Sequence, residues 1–262
     1  MTKNVLYYHT YLTDDPSTWS SIILEQMKCM EDSDLLRNLH EIRMTCVSQH
    51  DARNEQLSQL CETYPVRFVI EYIENTYEND KDMMYGINSD RTITENYTYR
   101  KIFNDCQSEE IRVCYIHTKG ITSGMKISKD TMQSHKNYYY WRQYLNWGVI
   151  EQWKACVSAL NDYDVAGVNF YTEPSKHFSG NFWWANSSYI KQLPDPETID
   201  WWRHIQKNTR NMWLKDAPDR FRDEQWLCSS DTVKVYNVFD LPEVENPAAS
   251  FLPRRRYADE IH

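Results

Sequence analysis

Residues 111–120 read Ile111-Arg112-Val113-Cys114-Tyr115-Ile116-His117-Thr118-Lys119-Gly120. Ile111, Val113, Tyr115 and Ile116 are β-branched or aromatic, the composition of a buried strand. The run stops abruptly at His117-Thr118-Lys119-Gly120. In an open α/β sheet the ligand sits beyond the carboxyl ends of the strands. The stretch therefore predicts two cation-capable side chains and a hydroxyl at a ligand edge. Gly120 allows the backbone to turn closely there.

Working outward, strands and helices alternate. Val5–His9 reads as a strand, Asp14-Asp15-Pro16 as a turn, and Ser17 or Thr18 as the cap of a helix reaching Met30. Leu39–Val47 is a second strand, with Ile42, Met44 and Cys46 alternating against polar neighbours. Arg53–Cys61 forms a short helix, Pro65 breaks it, and Val66–Tyr72 is the third strand. Glu74–Ser89 reads as a polar loop, and Thr92 or Thr94 opens a helix to Cys106. Such alternation predicts βαβ units and a single, Rossmann-like, mostly parallel α/β sheet flanked by helices.

Beyond Gly120, Thr122–Asp130 reads as a loop. Ser134–Leu160 is helical, with Trp141, Tyr144, Leu145, Val149, Trp153, Cys156, Val157 and Leu160 on helix spacing. Val165–Phe170 is a strand, Ser188–Leu193 and Ile199–Trp213 are helices, Glu224–Cys228 is a helix or turn, and Val233–Val238 is the last strand. From Pro242 onward, with Pro247, Pro253 and Arg254-Arg255-Arg256, little core pattern remains. One domain over 1–240 with a tail at 241–262 is the simplest organisation.

The 262 residues suffice for a sizeable core, and a mean hydropathy of -0.76 fits a soluble globular chain. A net charge of -9 argues against nucleic acid as a partner, and the three arginines at 254–256 are too few to reverse it. A phosphate ligand would need a local basic pocket, for which His117 and Lys119 are candidates. Seven scattered cysteines with no CxxC pair read as reduced thiols, pointing with the absence of a signal-peptide pattern to the cytoplasm. No run approaches the roughly 20 apolar residues of a membrane span. Asn96-Tyr97-Thr98 and Asn186-Ser187-Ser188 match the glycosylation sequon, which means little without a secretory route.

Three further stretches have chemical character. His177-Phe178-Ser179-Gly180-Asn181-Phe182-Trp183-Trp184-Ala185 is either a core-anchored β segment or one side of a sugar pocket, with Trp183 and Trp184 under the CH groups and His177, Ser179 and Asn181 on the hydroxyls. Arg222-Asp223-Glu224-Gln225-Trp226 holds two carboxylates, one of which can serve as a general base; acids at a helix start are the ordinary alternative. Asp162-Tyr163-Asp164 has metal-ligand spacing, but it precedes a strand and so sits at the edge opposite the ligand. Six glycines leave no room for Gly-x-Gly-x-x-Gly or Walker loops, and neither a Gly-x-Ser-x-Gly elbow nor His-Glu-x-x-His is present.

Taken together, Tyr115-Ile116-His117-Thr118-Lys119-Gly120, Trp141-Arg142, Gly167-Val168-Asn169, the 177–185 block and Glu224-x-Trp226 resemble a family of small glycosyltransferases of bacteria and large DNA viruses, including viruses of chlorella algae. The resemblance spans Val5 to Ser230. It implies the A-type glycosyltransferase fold, with a nucleotide-binding half at 1–120 and an acceptor half at 121–240. It implies a UDP-sugar donor, UDP-xylose being one used in that family, an oligosaccharide acceptor, and a location in the host cytoplasm if the chain is viral. In that layout the base of the donor lies near Tyr8, His9 and Tyr11, and the diphosphate reaches His117, Thr118, Lys119 and Gly120. The acceptor lies by His177, Ser179, Gly180, Asn181, Trp183 and Trp184. Glu224, with Asp223 as its rival, is the base of an inverting transfer. This chain departs from the family where most members carry Asp-x-Asp: His117-Thr118-Lys119 replaces the carboxylates that would hold manganese or magnesium. A retaining transfer from another donor, or glycan binding without catalysis, are the alternatives.

Overall fold

The parallel half of the sheet is built from the apolar runs of the first half of the chain. In the computed structural model, which describes residues 2–48, 51–74, 95–121, 129–210, 212–215, 222–239 and 252–258, the strands β1 (Lys3–Tyr11), β2 (Glu41–Ser48), β3 (Phe68–Glu74) and β4 (Ile111–His117) all pair in parallel. The connecting helices are α1 (Pro16–Asp32), α2 (Leu35–Asn38), α3 (Asp51–Glu62) and α4 (Glu95–Ser108). Asp15 caps α1: its carboxylate accepts from the Ser17 N–H at 2.9 Å, and Pro16 occupies the first helical position.

In the second half come α5 (Lys129–Asn146), a π-helical turn at Trp147–Glu151, α6 (Trp153–Ala159), β5 (Val165–Gly167), β6 (Phe170–Tyr171), β7 (His177–Phe178) and β8 (Trp183–Asn186). They are followed by α7 (Ser187–Ile190), α8 (Asp200–Asn208), α9 (Met212–Lys215), α10 (Arg222–Trp226) and β9 (Val235–Asn237). The seven-stranded sheet runs β3-β2-β1-β4-β8-β5-β9, and β8 alone is antiparallel to its neighbours. The predicted α/β class and mostly parallel sheet are therefore present.

Successive strand residues point to opposite faces, and the two faces carry separate cores. Leu6, Tyr8, Ile42, Met44, Cys114, Ile116 and Trp184 join α1, α3 and α5 on one side. Val5, Tyr7, Val113, Tyr115 and Trp183 join α4, α7, α8 and α10 on the other.

Several expectations are corrected. The long helix after Ser134 is interrupted by the π turn, where Gly148 lets Val168 approach so closely that an added Cβ would lie 2.5 Å from Val168 Cβ. The strand at Val165–Phe170 breaks at Asn169, which adopts φ 65° and donates its Nδ2 to the Ser179 carbonyl at 2.9 Å. The tail does contribute to the core: Leu252 and Tyr257 are buried, and Tyr257 packs its ring 5.0 Å from those of Tyr144 and Trp147. Glu74 belongs to β3, and Lys129 and Asp130 of the loop expected at 122–130 belong to α5, whereas residues 75–89 and 122–128 and the Thr92 or Thr94 helix start lie outside the described residues.

Candidate functional site

The strand order turns back between β1 and β4. From β1 the chain moves outward through β2 and β3, then crosses to β4 on the other side. Such a switch point leaves a crevice at the carboxyl ends of the two strands. His9 and His117 are paired in register at that edge. Gly120 turns the chain away with φ 84°.

The edge gathers titratable groups from distant parts of the chain. Glu95, the first residue of α4, places its carboxylate Oε1 3.6 Å from His117 Nδ1. Its Oε2 accepts hydrogen bonds from Tyr115 at 2.9 Å, Tyr99 at 3.2 Å and Asn181 Nδ2 at 2.5 Å. Burial opposes its ionisation, but His117, His9, Lys119 and the Tyr115 hydroxyl outweigh that and hold the carboxyl below its ordinary value. His117 donates through Nε2 to the Gly180 carbonyl at 3.1 Å, because a carbonyl can only accept. Burial, aided by Lys119, lowers its pKa against the pull of Glu95 and Glu224. His9, bonded through Nδ1 to the Thr98 hydroxyl at 2.9 Å, is pushed by burial down to about 4. At neutral pH the crevice thus holds two neutral imidazoles beside the Glu95 carboxylate.

Lys119 lies with Nζ 4.1 Å from the centre of the Trp141 ring, a cation–π contact. Its backbone is fixed from below: Arg142 donates to the Lys119 carbonyl at 2.9 Å while its Nε and Nη2 hold Glu25 at 2.8 and 3.0 Å. Gln26 likewise donates to the His117 carbonyl at 3.3 Å. The ammonium is therefore carried on a backbone anchored by α1 and α5.

The other predicted residues divide. Gly180 is buried, adopts φ 93° and supplies the carbonyl for His117. Asn181, at φ 61°, bridges Glu95 and the Trp183 indole N–H. Glu224 is half-buried, and its charge acts on His117. Asp223 is buried and accepts from Asn96 Nδ2 at 3.5 Å, beside Glu95 at the start of α4. Thr118 is buried and spends its hydroxyl on the Tyr11 N–H at 3.3 Å. His177 bonds the Ser175 carbonyl at 2.8 Å within the small β6–β7 sheet, and Ser179 pairs with Asn169.

Two placements differ from the sequence reading. Trp183 and Trp184 are fully buried on opposite faces of β8, Trp183 stacked 5.2 Å from Tyr115 and Trp184 donating to the Val149 carbonyl at 2.9 Å. Their faces are unavailable to a sugar. Tyr8 is likewise buried, with its hydroxyl on Gln26, and Tyr11 is buried in the same core, so of the β1 residues only His9 joins the crevice. Glu95 was missed by the sequence reading. An acid in the first turn of a helix is ordinary, and only the strand order brings it opposite His117.

Gly180→Ala follows directly. The added Cβ would meet Leu145 Cδ1 at 2.6 Å and Trp141 Nε1 at 3.0 Å in a left-handed backbone. We expect a loss of roughly 2–4 kcal/mol in urea unfolding; a change below about 0.5 kcal/mol, the ordinary scatter of a surface substitution, would show that the turn can move.

At the position of the expected metal site the residues do not suit a divalent cation. Lys119 is itself a cation, and Nε2 of His117 is taken by the Gly180 carbonyl. No group of three His, Cys, Asp or Glu among the described residues is arranged to hold a metal ion. Among those residues no helix is long and apolar enough to cross a membrane.

No curated protein matches the chain. Solved structures overlap with it, among them the following two. HddC from Yersinia pseudotuberculosis is 12% identical, with TM-score 0.38 over 74% of this chain and 82% of that one. The 4-diphosphocytidyl-2C-methyl-D-erythritol synthase from Anaerococcus prevotii DSM 20548 is 9% identical, with TM-score 0.35 over 90% of this chain and 88% of that one. A family model described as a domain of unknown function, DUF8361, matches residues 7–247, and the chain belongs to that family.

Proposed function

We propose that this chain is a glycosyltransferase that moves a sugar from a UDP-sugar to a hydroxyl of an oligosaccharide acceptor. The observation that carries the reading is the β1–β4 switch point with Lys119 at the strand ends; the charge of Glu224 acting on His117 supports it as the base. The 115–120 and 177–185 motifs add the family resemblance, and with it the A-type fold and the UDP-sugar donor.

The diphosphate lies against Lys119, a point charge suited to phosphate. The acceptor hydroxyl gives its proton to the Glu224 carboxylate. Its oxygen attacks the anomeric carbon while the bond from that carbon to the diphosphate oxygen breaks. The leaving diphosphate takes the electron pair, and the Lys119 ammonium meets the charge. Attack from the face opposite the leaving group inverts the configuration. No metal step is assigned, because the residues at the strand end do not fit one.

Thermal shift against a panel of nucleotide sugars, each with manganese and with EDTA, tests this. A ligand at about 100 times its dissociation constant adds roughly 2.7 kcal/mol, a rise on the order of 5–10 °C at this length. We expect one UDP-sugar, UDP-xylose among those tried, to give that rise in EDTA. Binding of free glycans with no response to any nucleotide sugar would favour a glycan-binding protein.

A further inference from the structure

Glu95 Oε1 and His117 Nδ1 face each other at 3.6 Å, too far for a hydrogen bond, and no donor from the described residues meets either atom. The Gly180 carbonyl obliges Nε2 of His117 to carry its proton. In the neutral ring, Nδ1 then holds a lone pair, and it faces Glu95 Oε1 at 3.6 Å. Oε2 is already saturated by Tyr99, Tyr115 and Asn181, which leaves Oε1 as the unfilled oxygen of that carboxylate. The Glu95 side chain keeps 25% of its surface exposed and His117 12%, so the gap communicates with the crevice.

An uncompensated pair of acceptors at a ligand edge is a recognition element for a molecule that brings donors. Two donors at the spacing of neighbouring hydroxyls can satisfy both at once. We propose that Glu95 Oε1 and His117 Nδ1 together bind a vicinal diol, one hydroxyl donating to each. The inference rests on the proposed nucleotide-sugar site and deepens it. The diol is either that of the nucleoside ribose or that of the transferred sugar.

Burial is the largest influence on the His117 ring and lowers its pKa; Lys119 beyond β4 also disfavours a charged ring, whereas Glu95, Glu224 and the bond to the Gly180 carbonyl favour one. The ring is held in place by Tyr115, stacked at 6.2 Å, and by the edge contact with Phe182 at 5.2 Å.

The test has two readouts. In the wild-type protein at pH 7, the histidine nitrogen spectrum should show His117 neutral and protonated on Nε2. A doubly protonated ring would mean a closed ion pair with Glu95 and would overturn the proposal, whatever the enzyme's substrate. Binding is then measured for UDP-xylose, UDP and 2′-deoxy-UDP, with wild type and Glu95→Gln. The substitution should weaken a diol-bearing ligand about tenfold or more. That loss should vanish with 2′-deoxy-UDP if the ribose is held, or with both UDP and 2′-deoxy-UDP if the transferred sugar is held. An equal loss with all three ligands would make Glu95 merely structural and overturn the proposal. If wild type binds no uridine nucleotide, the nucleotide-sugar reading fails. Methyl xyloside is then titrated instead: a His117 Nδ1 shift lost in Glu95→Gln sustains the diol pair, and no shift removes it.

Discussion

Glu224→Gln is expected to lower glycosyl transfer roughly 100- to 10,000-fold, the range for loss of a general base. The amide keeps the shape of the side chain and removes its capacity to take a proton. Donor affinity should change little, since the proposed base acts on the acceptor hydroxyl. Single-turnover rates therefore separate the two: the chemical step falls while UDP-sugar binding persists. Asp223→Asn is the natural control. Asp223 is buried and accepts from Asn96, so its substitution should register in melting temperature before it registers in the chemical step. Near-wild-type transfer by Glu224→Gln, with transfer lost in Asp223→Asn, would reverse the two assignments.

The largest expected effect on stability lies on the opposite flank of α4. Arg43, 12% exposed, donates through Nε to Glu41 at 2.7 Å, through Nη1 to Asp105 at 2.8 Å and the Tyr7 hydroxyl at 2.7 Å, and through Nη2 to Glu109 at 2.8 Å. It thereby ties β2 and β1 to the end of the helix whose first residue is Glu95. Arg43→Ala leaves three carboxylates with their shared cation gone, and Glu41, only 5% exposed, keeps Arg67 at 3.1 Å as its remaining cation. Breaking a buried pair in this way costs about 3–5 kcal/mol. The hydrogen bond from Arg43 is the largest reason that Glu109 sits below its ordinary pKa. A depressed folded pKa gives stability that is full above the unfolded value and is lost as pH falls through the folded one. The variant should therefore lose stability at neutral pH and show a flatter acid limb. A loss under about 1 kcal/mol would mean that the network is no stronger than an exposed pair.

The sheet was largely legible because its strands are local apolar runs, and because Ile111–Ile116 ends in polar residues at the edge where ligands bind. Less legible were features that depend on what lies across a gap. Trp183 and Trp184 read as a sugar platform because they are dense and aromatic. Adjacent residues of a strand must face opposite ways, so each fills a different core, and that alternation was the signal available. Glu95 carries no local mark at all. Its environment is assembled from Tyr99 four residues on, Tyr115 and His117 on the next strand, and Asn181 much later in the chain. The tail looked dispensable by pattern, yet Leu252 and Tyr257 are single apolar anchors that periodicity does not detect.

Calorimetric titration of a UDP-sugar in EDTA, with wild type and Lys119→Ala, tests the central claim most directly. A diphosphate held by the Lys119 ammonium predicts metal-free binding to wild type and a loss of roughly ten- to hundredfold in the variant, the value of a charged hydrogen bond. Absence of binding to wild type, or equal affinity in the two proteins, would contradict it.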